Sequence, residues 1–516
     1  MKLFKYIVSA FLIASAFVSC SDNAGLERLP GADNDPLTIK AEFGKNLVGR
    51  VTVDGQPRQG VVVSDGVNVI TTDAKGEYQM YTTGRQHVFI SMPEDCELPT
   101  LNGLPKFYKT ISFTDGAIIQ RDFNLVSGQK KNEWTLFTMA DPQIGNDADL
   151  TEFNGMLPRM AQFTSTLPGA VYGIDLGDIV WNKPDYFTVY AGAIRNVPVP
   201  VFSVIGNHDH NEGIKNDTES DKDFRDVLGP TYYSANIGDC HLVVLDDVLY
   251  RGETSRNDYS GTITDAQLEW LEKDLSYVDH DKTIIIGLHI PTARRNSSTH
   301  VSNNQVLYDL VKDYRDVQIL SGHSHNHYTT TIADNITETT FASVMGAFWY
   351  PLCNDGAPRG YGALEFKDGK LVNKYFVGDG CDRNYQMKLY APEDAVLWNP
   401  SNNPGDPYDK ILANIFCWHE DWTVETQEDG GAWTLLPAEA RLIPSQNGGK
   451  CWDPDVRKCL VDGAIPANHG GAAPENNNDH MFLYTPREGW KSVTFRATDS
   501  FGNVYTETIN AKLWGS

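Results

Sequence analysis

Apolar and polar positions follow four successive patterns along the chain, and each predicts a different kind of element. Residues 1–19 place Lys2 and Lys5 ahead of an apolar run from Tyr6 to Val18. That run falls short of the ~20 residues that cross a bilayer, and it has the charge-then-apolar order of a secretory signal. From Leu47 to Leu125 short β-branched runs (VGRVTV, GVVVSDG, VNVITT, GEYQMYTT) are separated by Asp54-Gly55, Asp65-Gly66 and Lys75-Gly76. Period-2 alternation broken by glycine turns predicts a small antiparallel sandwich, with His87 as an ordinary strand residue.

From Glu133 to about Gly380 the grammar changes. WTLFTMAD, GAVYGIDLGD, PVFSVIGNHD, HLVVLDD, KTIIIGLH and VQILSGH are short apolar runs that each end in polar or glycine-rich residues. Between them, Thr264–Tyr277 has helical spacing with a Thr cap and acidic residues after it. Buried strands alternating with helices imply an α/β core whose sites gather at the carboxyl ends of the strands. From Asn384 to Ser516 short aromatic-rich strands return and predict a second β-sandwich. The expected organisation is therefore a signal (1–19), a tether rich in Asp, Asn, Gly and Pro (20–40), a β-module (41–127), an α/β domain (131–380) and a C-terminal β-domain (384–516).

Composition narrows the function. The 516 residues carry 43 Lys+Arg against 68 Asp+Glu, a formal charge of −25. So acidic a chain has no basic surface to release phosphate counterions, which argues against nucleic acid as a partner. A small anionic substrate stays open, because bound metal ions invert the local field. Eight cysteines without C-x-x-C spacing indicate neither a zinc ribbon nor a thioredoxin site. Export would permit disulfides, with Cys353–Cys381 and Cys451–Cys459 as possible pairs.

The candidate chemistry lies in the α/β block. In order, its strand ends supply Asp141 and Gln143 (ADPQIG), Asp178 (LGDIV), Asn207 and His208 (IGNHDH), His289 (GLHIP), and His323 with His325 (SGHSHNH). Nine of the thirteen histidines fall between 208 and 327, which favours a site over scatter. Hard oxygen ligands mixed with imidazole suit Mn, Zn, Fe or Co. Two cations ~3.5–4 Å apart need a bridging carboxylate, and Asp178 is the natural candidate.

The ordered set D-x-Q, GD, GNHD, H and GHxH resembles the calcineurin-like metallophosphoesterase superfamily over roughly residues 133–350. The resemblance implies a central α/β metallophosphoesterase sandwich and a first divalent metal on Asp141, Gln143, Asp178 and His325. It implies a second on Asp178, Asn207, His289 and His323. His208 would then serve as the catalytic acid beside the leaving group, with Asp209 orienting it. Most members carry D-x-H at the first motif, whereas this chain has Asp141-Pro142-Gln143. An amide oxygen is a weaker ligand than imidazole, so the first metal should be held more loosely. Further resemblances follow the same direction. TTDAKGEYQMY is similar to carboxypeptidase-regulatory-like and Ig-like modules, which usually serve as spacers. Ser19-Cys20 resembles a bacterial lipobox, with Phe17 where Leu is usual, and implies acylation of Cys20. NDGAPRGY and DSFGNVY resemble a bacterial family in which the phosphoesterase core sits between two β-modules.

These features lead to expectations for the whole protein. It should be an exported lipoprotein of the cell envelope, in the outer membrane and facing the periplasm or the cell surface. It would hydrolyse small phosphate mono- or diesters and touch the membrane through its lipid anchor alone. Asn182, His210, Arg294, Arg295, Asp355 and Tyr361 are candidate substrate contacts, and His327 is expected to be a surface side chain. The competing function is a glycan- or protein-binding lipoprotein with a vestigial metal site, for which Trp418, Trp422, Trp433 and Trp452 are the candidate contacts.

Overall fold

Alternation along Glu133–Met139 shows how the central domain is built. Trp134 and Leu136 point into one core while Phe137 and Met139 point into another, the period-2 consequence of the β pleat. The computed structural model describes residues 35–112, 116–294, 300–347, 351–395, 409–443, 451–461 and 478–512. The signal segment, Cys20 and Arg295 lie outside the described residues. Among the described residues, no helix is long and apolar enough to cross a membrane.

Two sheets form the central domain. The first runs in the order Val201–Ser203, Ala170–Asp175, Glu133–Met139, Gly360–Lys367, Lys370–Gly378. Its first three strands are parallel to one another. The second runs Tyr233–Ile237, Cys240–Val244, Thr283–Gly287, Asp316–Ser321, Ile336–Thr340, Tyr328–Ala333, with four parallel strands at its centre. Residues such as Leu136, Ile174 and Phe202 of the first sheet share a core with Leu242, Ile284 and Ile319 of the second. The outer face of the first sheet is covered by the helices Asp147–Thr164 and Tyr186–Ile194, through Phe153, Met156, Met160, Phe187 and Tyr190. The helix expected at Thr264–Tyr277 spans Asp265–Leu275 with Thr264 as its N-cap residue. Its inward face buries Leu268, Trp270, Leu271 and Leu275.

The N-terminal module departs from the spacer expected by resemblance. Its core residues, among them Val63, Val88 and Phe107, are continuous with the core of the second sheet. Trp270 Nε1 donates to Ser64 Oγ at 3.0 Å, Phe107 packs on Tyr233 at 4.6 Å, and Met92 bridges to Ala235. A spacer would present a polar face to its neighbour, whereas this module uses the neighbour to bury its own apolar face.

The C-terminal domain consists of a sheet of Met387–Tyr390, Ile411–Ile415 and Met481–Tyr484, and a second of Thr434–Leu435, Thr423–Glu428, Ser492–Thr498 and Val504–Asn510. Its core includes Ile411, Ala413, Ile415, Val424 and Phe495. Among the described residues neither suggested pair, Cys353–Cys381 nor Cys451–Cys459, is bridged. Cys353 instead turns its Sγ to Ser343 O at 3.5 Å in a buried setting.

Candidate active site

Parallel strands converge their carboxyl ends, and the loops that follow those ends carry every motif residue of the central domain. Six of these residues, Asp141, Gln143, Asp178, Asn182, His323 and His325, have φ between 47° and 66°. Left-handed backbone costs a non-glycine residue energy and persists only where its surroundings impose it. Its concentration here marks loops shaped around one point. Gly206 permits the closest approach, because a Cβ there would stand 2.2 Å from Asp178 N and 2.4 Å from its Oδ1.

Asp178 lies at the centre and is 1% exposed. Its Oδ1 accepts from His208 N at 2.8 Å and stands 3.3 Å from His289 Nε2. Its Oδ2 is 3.2 Å from Gln143 Nε2. On one side, His289 Nδ1 donates to Leu176 O at 2.8 Å, which turns Nε2 inward to the cluster. Asn207 Oδ1 faces that nitrogen at 3.1 Å and His323 Nδ1 at 3.2 Å. On the other side, His325 Nε2 lies 3.3 Å from Asp141 Oδ1 and 3.2 Å from the Gln143 amide. The seven expected ligands are thus brought into one cluster. Ligand atoms of Asp178, His289 and His323 all lie within 4.8 Å of one another.

The donor set fits divalent metal. His289 Nε2 looks onto two acceptor oxygens, so the position must hold a cation, a proton on the imidazole or a metal ion in its place. Burial lowers the pKa of His289, yet Asp178, with help from Asp141 and Asp247, raises it to about 10. Burial likewise pushes the Asp178 carboxyl up, but the imidazoles of His289 and His208 hold it well below the usual carboxylate range. Asp141 Oδ1 is buried without a hydrogen-bond donor. These lone pairs and charges converge as a coordination shell does, with oxygen and imidazole ligands suited to a borderline ion.

His208 stands at the edge of this cluster. Its Nε2 is 4.0 Å from Asp178 Oδ2, its side chain is 13% exposed, and its ring stacks on Trp181 at 3.8 Å. The expected orientation by Asp209 is not what holds it. Asp209 is fully buried, and its carboxylate accepts from the backbone N–H groups of Ile179, Val180 and Gly206 at 3.2, 2.9 and 2.8 Å. It therefore ties the loop after Asp178 to the loop before His208. Asn182 supplies the orienting contact instead: its Oδ1 accepts from His208 Nδ1 at 3.0 Å. Burial lowers the His208 pKa, and the Asp178 charge works in the opposite direction.

Of the other expected contacts among the described residues, Arg294 stays near the cleft; its guanidinium lies 5.4 Å over Tyr328 and its charge reaches His323. His210 is 1% exposed, bonded to Ser220 Oγ at 2.8 Å and stacked on Tyr250 at 4.8 Å. Tyr361 packs between Phe137 and Phe163 in the core of the first sheet. Asp355 is buried at the C-terminal domain and accepts from His327 N at 2.7 Å. These three cannot rim the cleft, because each is enclosed by packing that their local motifs did not reveal. His327 is also buried rather than at the surface, its ring packed at a tilt on Phe376 at 4.1 Å.

Asp247 was missed. It accepts from His289 N at 3.2 Å and Ile290 N at 2.9 Å and so fixes the His289 loop. Burial pushes its carboxyl up to about 7. The available signal was an acidic pair, Asp246-Asp247, ending the run HLVVL.

Comparisons with known proteins cover all three blocks of the chain. The family model described as calcineurin-like phosphoesterase matches residues 145–327, and its N-terminal and C-terminal companions match residues 45–127 and 338–505. A Fibrobacter succinogenes protein named "Probable cyclic nucleotide phosphodiesterase" is 24% identical over 43% of this chain and 84% of its own. An Arcobacter nitrofigilis protein named "Probable glycerophosphodiester phosphodiesterase" is 28% identical over 32% of this chain, which spans 60% of that relative. A solved dimetal phosphatase from Danio rerio is 14% identical, with a TM-score of 0.35 over 48% of this chain and 99% of its own.

Proposed function

We propose that this chain, which belongs to the calcineurin-like phosphoesterase superfamily, hydrolyses small phosphate esters at a binuclear centre. The observation that carries this reading is the position of His208. It is outside the ligand cluster but beside Asp178, with its ring clamped by Asn182 and Trp181. Asp141, Gln143, Asp178 and His325 would hold one divalent ion, and Asp178, Asn207, His289 and His323 the other. Such a pair neutralises the phosphoryl oxygens and supplies hydroxide near neutral pH.

The chain's own residues do the rest. Asn182 keeps the proton on His208 Nδ1 engaged, so the ring turns Nε2 toward the cluster. From Nε2 a protonated His208 donates to the departing ester oxygen as the P–O bond breaks and water's oxygen remains on phosphorus. Trp181 covers one face of that imidazole and limits its solvation. The names of the two relatives favour diesters among the possible substrates.

The same reading includes export and anchoring through acylated Cys20 to the cell envelope, with no nucleic-acid partner. Labelled-palmitate incorporation lost in Cys20→Ala tests the anchor. For the activity, chromogenic phosphate mono- and diesters assayed with Mn or Zn should be turned over. Absence of turnover on all of them by metal-bound protein would overturn the reading. The glycan-binding alternative finds little support in its tryptophans. Trp418 is 7% exposed, Trp433 is covered by Arg496 at 4.0 Å, and Trp452 by Arg457 at 4.6 Å.

A further inference from the structure

One side of the cleft is a hairpin that no motif announced. Val248–Tyr250 and Tyr259–Gly261 pair antiparallel. The Tyr259 ring stands edge-on to His323 at 6.3 Å. Residues between the two strands form a built turn rather than a loose loop. Asp258 Oδ1 accepts from Arg251 Nε at 2.9 Å, and its Oδ2 accepts from the backbone of Glu253 and Thr254 at 3.1 and 3.2 Å. Asn257 N donates to Ser255 Oγ at 3.2 Å, and Asp258 N to Ser255 O at 3.1 Å. This turn presents Arg256, which is exposed. Its guanidinium carbon lies 5.9 Å from the centroid of Trp181, the ring that stacks on His208. Arg251 is neutralised by Asp258. Among the described residues, no carboxylate lies within ion-pair distance of Arg256. An exposed, uncommitted cation beside the leaving-group acid stands out in a chain of formal charge −25.

We propose that Arg256 is a specificity-determining residue whose guanidinium receives a negative charge on the leaving-group side of the ester. The preferred substrates are then phosphate esters whose departing alcohol carries a second anionic group, a carboxylate or a phosphate. This rests on the phosphoesterase reading, because only there does His208 define the leaving-group side. Guanidinium is suited to the task because its planar fork binds carboxylate and phosphate oxygens in pairs.

The test compares phenyl phosphate with 4-carboxyphenyl phosphate, and the matching methyl diesters, in metal-loaded wild type and Arg256→Gln. The wild-type ratio of kcat/KM, charged ester over neutral, should fall about five-fold in the variant, the size of an exposed charge pair. The change should lie in KM, the intrinsic reactivities cancel in the ratio of ratios, and Arg256→Lys should restore part of it. The wild-type preference should also shrink as salt rises. Calorimetric binding of benzylphosphonate and 4-carboxybenzylphosphonate should show the same loss without turnover. An unchanged ratio in Arg256→Gln, in both kinetics and binding, overturns the assignment of Arg256 while leaving the phosphoesterase reading intact. Failure of wild type to hydrolyse any of the four esters with metal bound overturns that reading and this inference with it.

Discussion

The two wings of the cluster around Asp178 owe their shape to different parts of the molecule. His289 and Asn207 sit on loops fixed within the central domain, where His289 bonds to Leu176 O and its backbone N–H to Asp247. In the other wing Asp141 and Gln143 are likewise fixed within the domain, Asp141 N donating to Gly177 O at 3.0 Å and Gln143 N to Asp178 O at 2.8 Å. The His325 loop, however, leans on residues 354–355, which contact the C-terminal domain. Asn354 N donates to His325 O at 3.1 Å, and Asp355 accepts from His327 N. Asp355 is held in turn by the C-terminal domain. Asn414 and Asn478 each donate to its backbone oxygen at 2.7 Å, and His480 Nε2 stands 3.5 Å from its carboxylate. One wing is thus settled by the core of a single domain, whereas the His325 loop of the other is also braced, through Asp355, by the C-terminal domain. That wing also contains the amide of Gln143 beside Asp141 and His325. If Gln143 ligates as proposed, this wing should be the easier one to empty.

The strongest way to break the comparison is to remove what the wings share. Asp178→Asn should strip metal from both positions and lower activity by ~10³ or more. Unchanged metal content by elemental analysis would contradict its bridging place. His208→Gln should lose roughly 10²–10⁴ in kcat with metal retained, the range of acid catalysis. A variant fully active on an unactivated alkyl phosphate would remove His208 from the chemistry.

Asp355→Asn separates the wings. It should weaken metal at the Gln143 wing by roughly 10–100-fold, as loss of a supporting partner does, and spare the His289 wing. Asp247→Asn should do the reverse. Chelator competition on metal-loaded protein reads both, and equal weakening of the two positions in either variant would erase the contrast. The same carboxylate also has a pH signature. Burial raises the Asp355 pKa, but the His480 bond and the charges of His327 and His480 outweigh it, so it lies below the ordinary 3.8. A carboxyl lowered on folding stabilises the docked domain above pH ~4 and loses that contribution as pH falls through the lowered value. Release of the C-terminal domain in acid, followed by limited proteolysis, should lose this step in Asp355→Asn. The smallest effect is expected from Gln143→His, which should tighten the first metal by about ten-fold. No change in chelator competition would mean that Gln143 is not a ligand.

Much of the cluster was legible along the chain because strand-end chemistry is local. A short apolar run followed by a polar pair places Asp141, Asp178, Asn207 and His289 at the carboxyl ends of parallel strands whatever the rest of the fold does. The helix at Asp265–Leu275 was legible for the same reason, since its cap and apolar spacing lie within one segment. The side-chain neighbours of Asp209, Tyr361 and Asp355 were not legible. Asp209 is adjacent to His208 in sequence, yet its carboxylate turns to three backbone N–H groups, and Asn182, 26 residues away, takes the imidazole. Tyr361 and Asp355 lie in a loop-like stretch of glycine and proline, but their neighbours come from Phe137, Phe163 and the C-terminal domain. The N-terminal module offered alternating strands like those of a spacer, and nothing local could reveal that its apolar face closes on Trp270 and Tyr233.

The amino-acid order by itself determined the succession of β, α/β and β blocks, the acidic balance and the chemistry available at each strand end. These depend on periodicity, turn residues and charge, which act over a few residues. Only the tertiary structure decided which imidazole stands apart from the cluster, what holds it, which wing leans on a second domain and where an unpaired arginine faces the cleft. Those outcomes depend on distances between segments up to hundreds of residues apart, where burial and pairing are settled by packing rather than by neighbours in the chain.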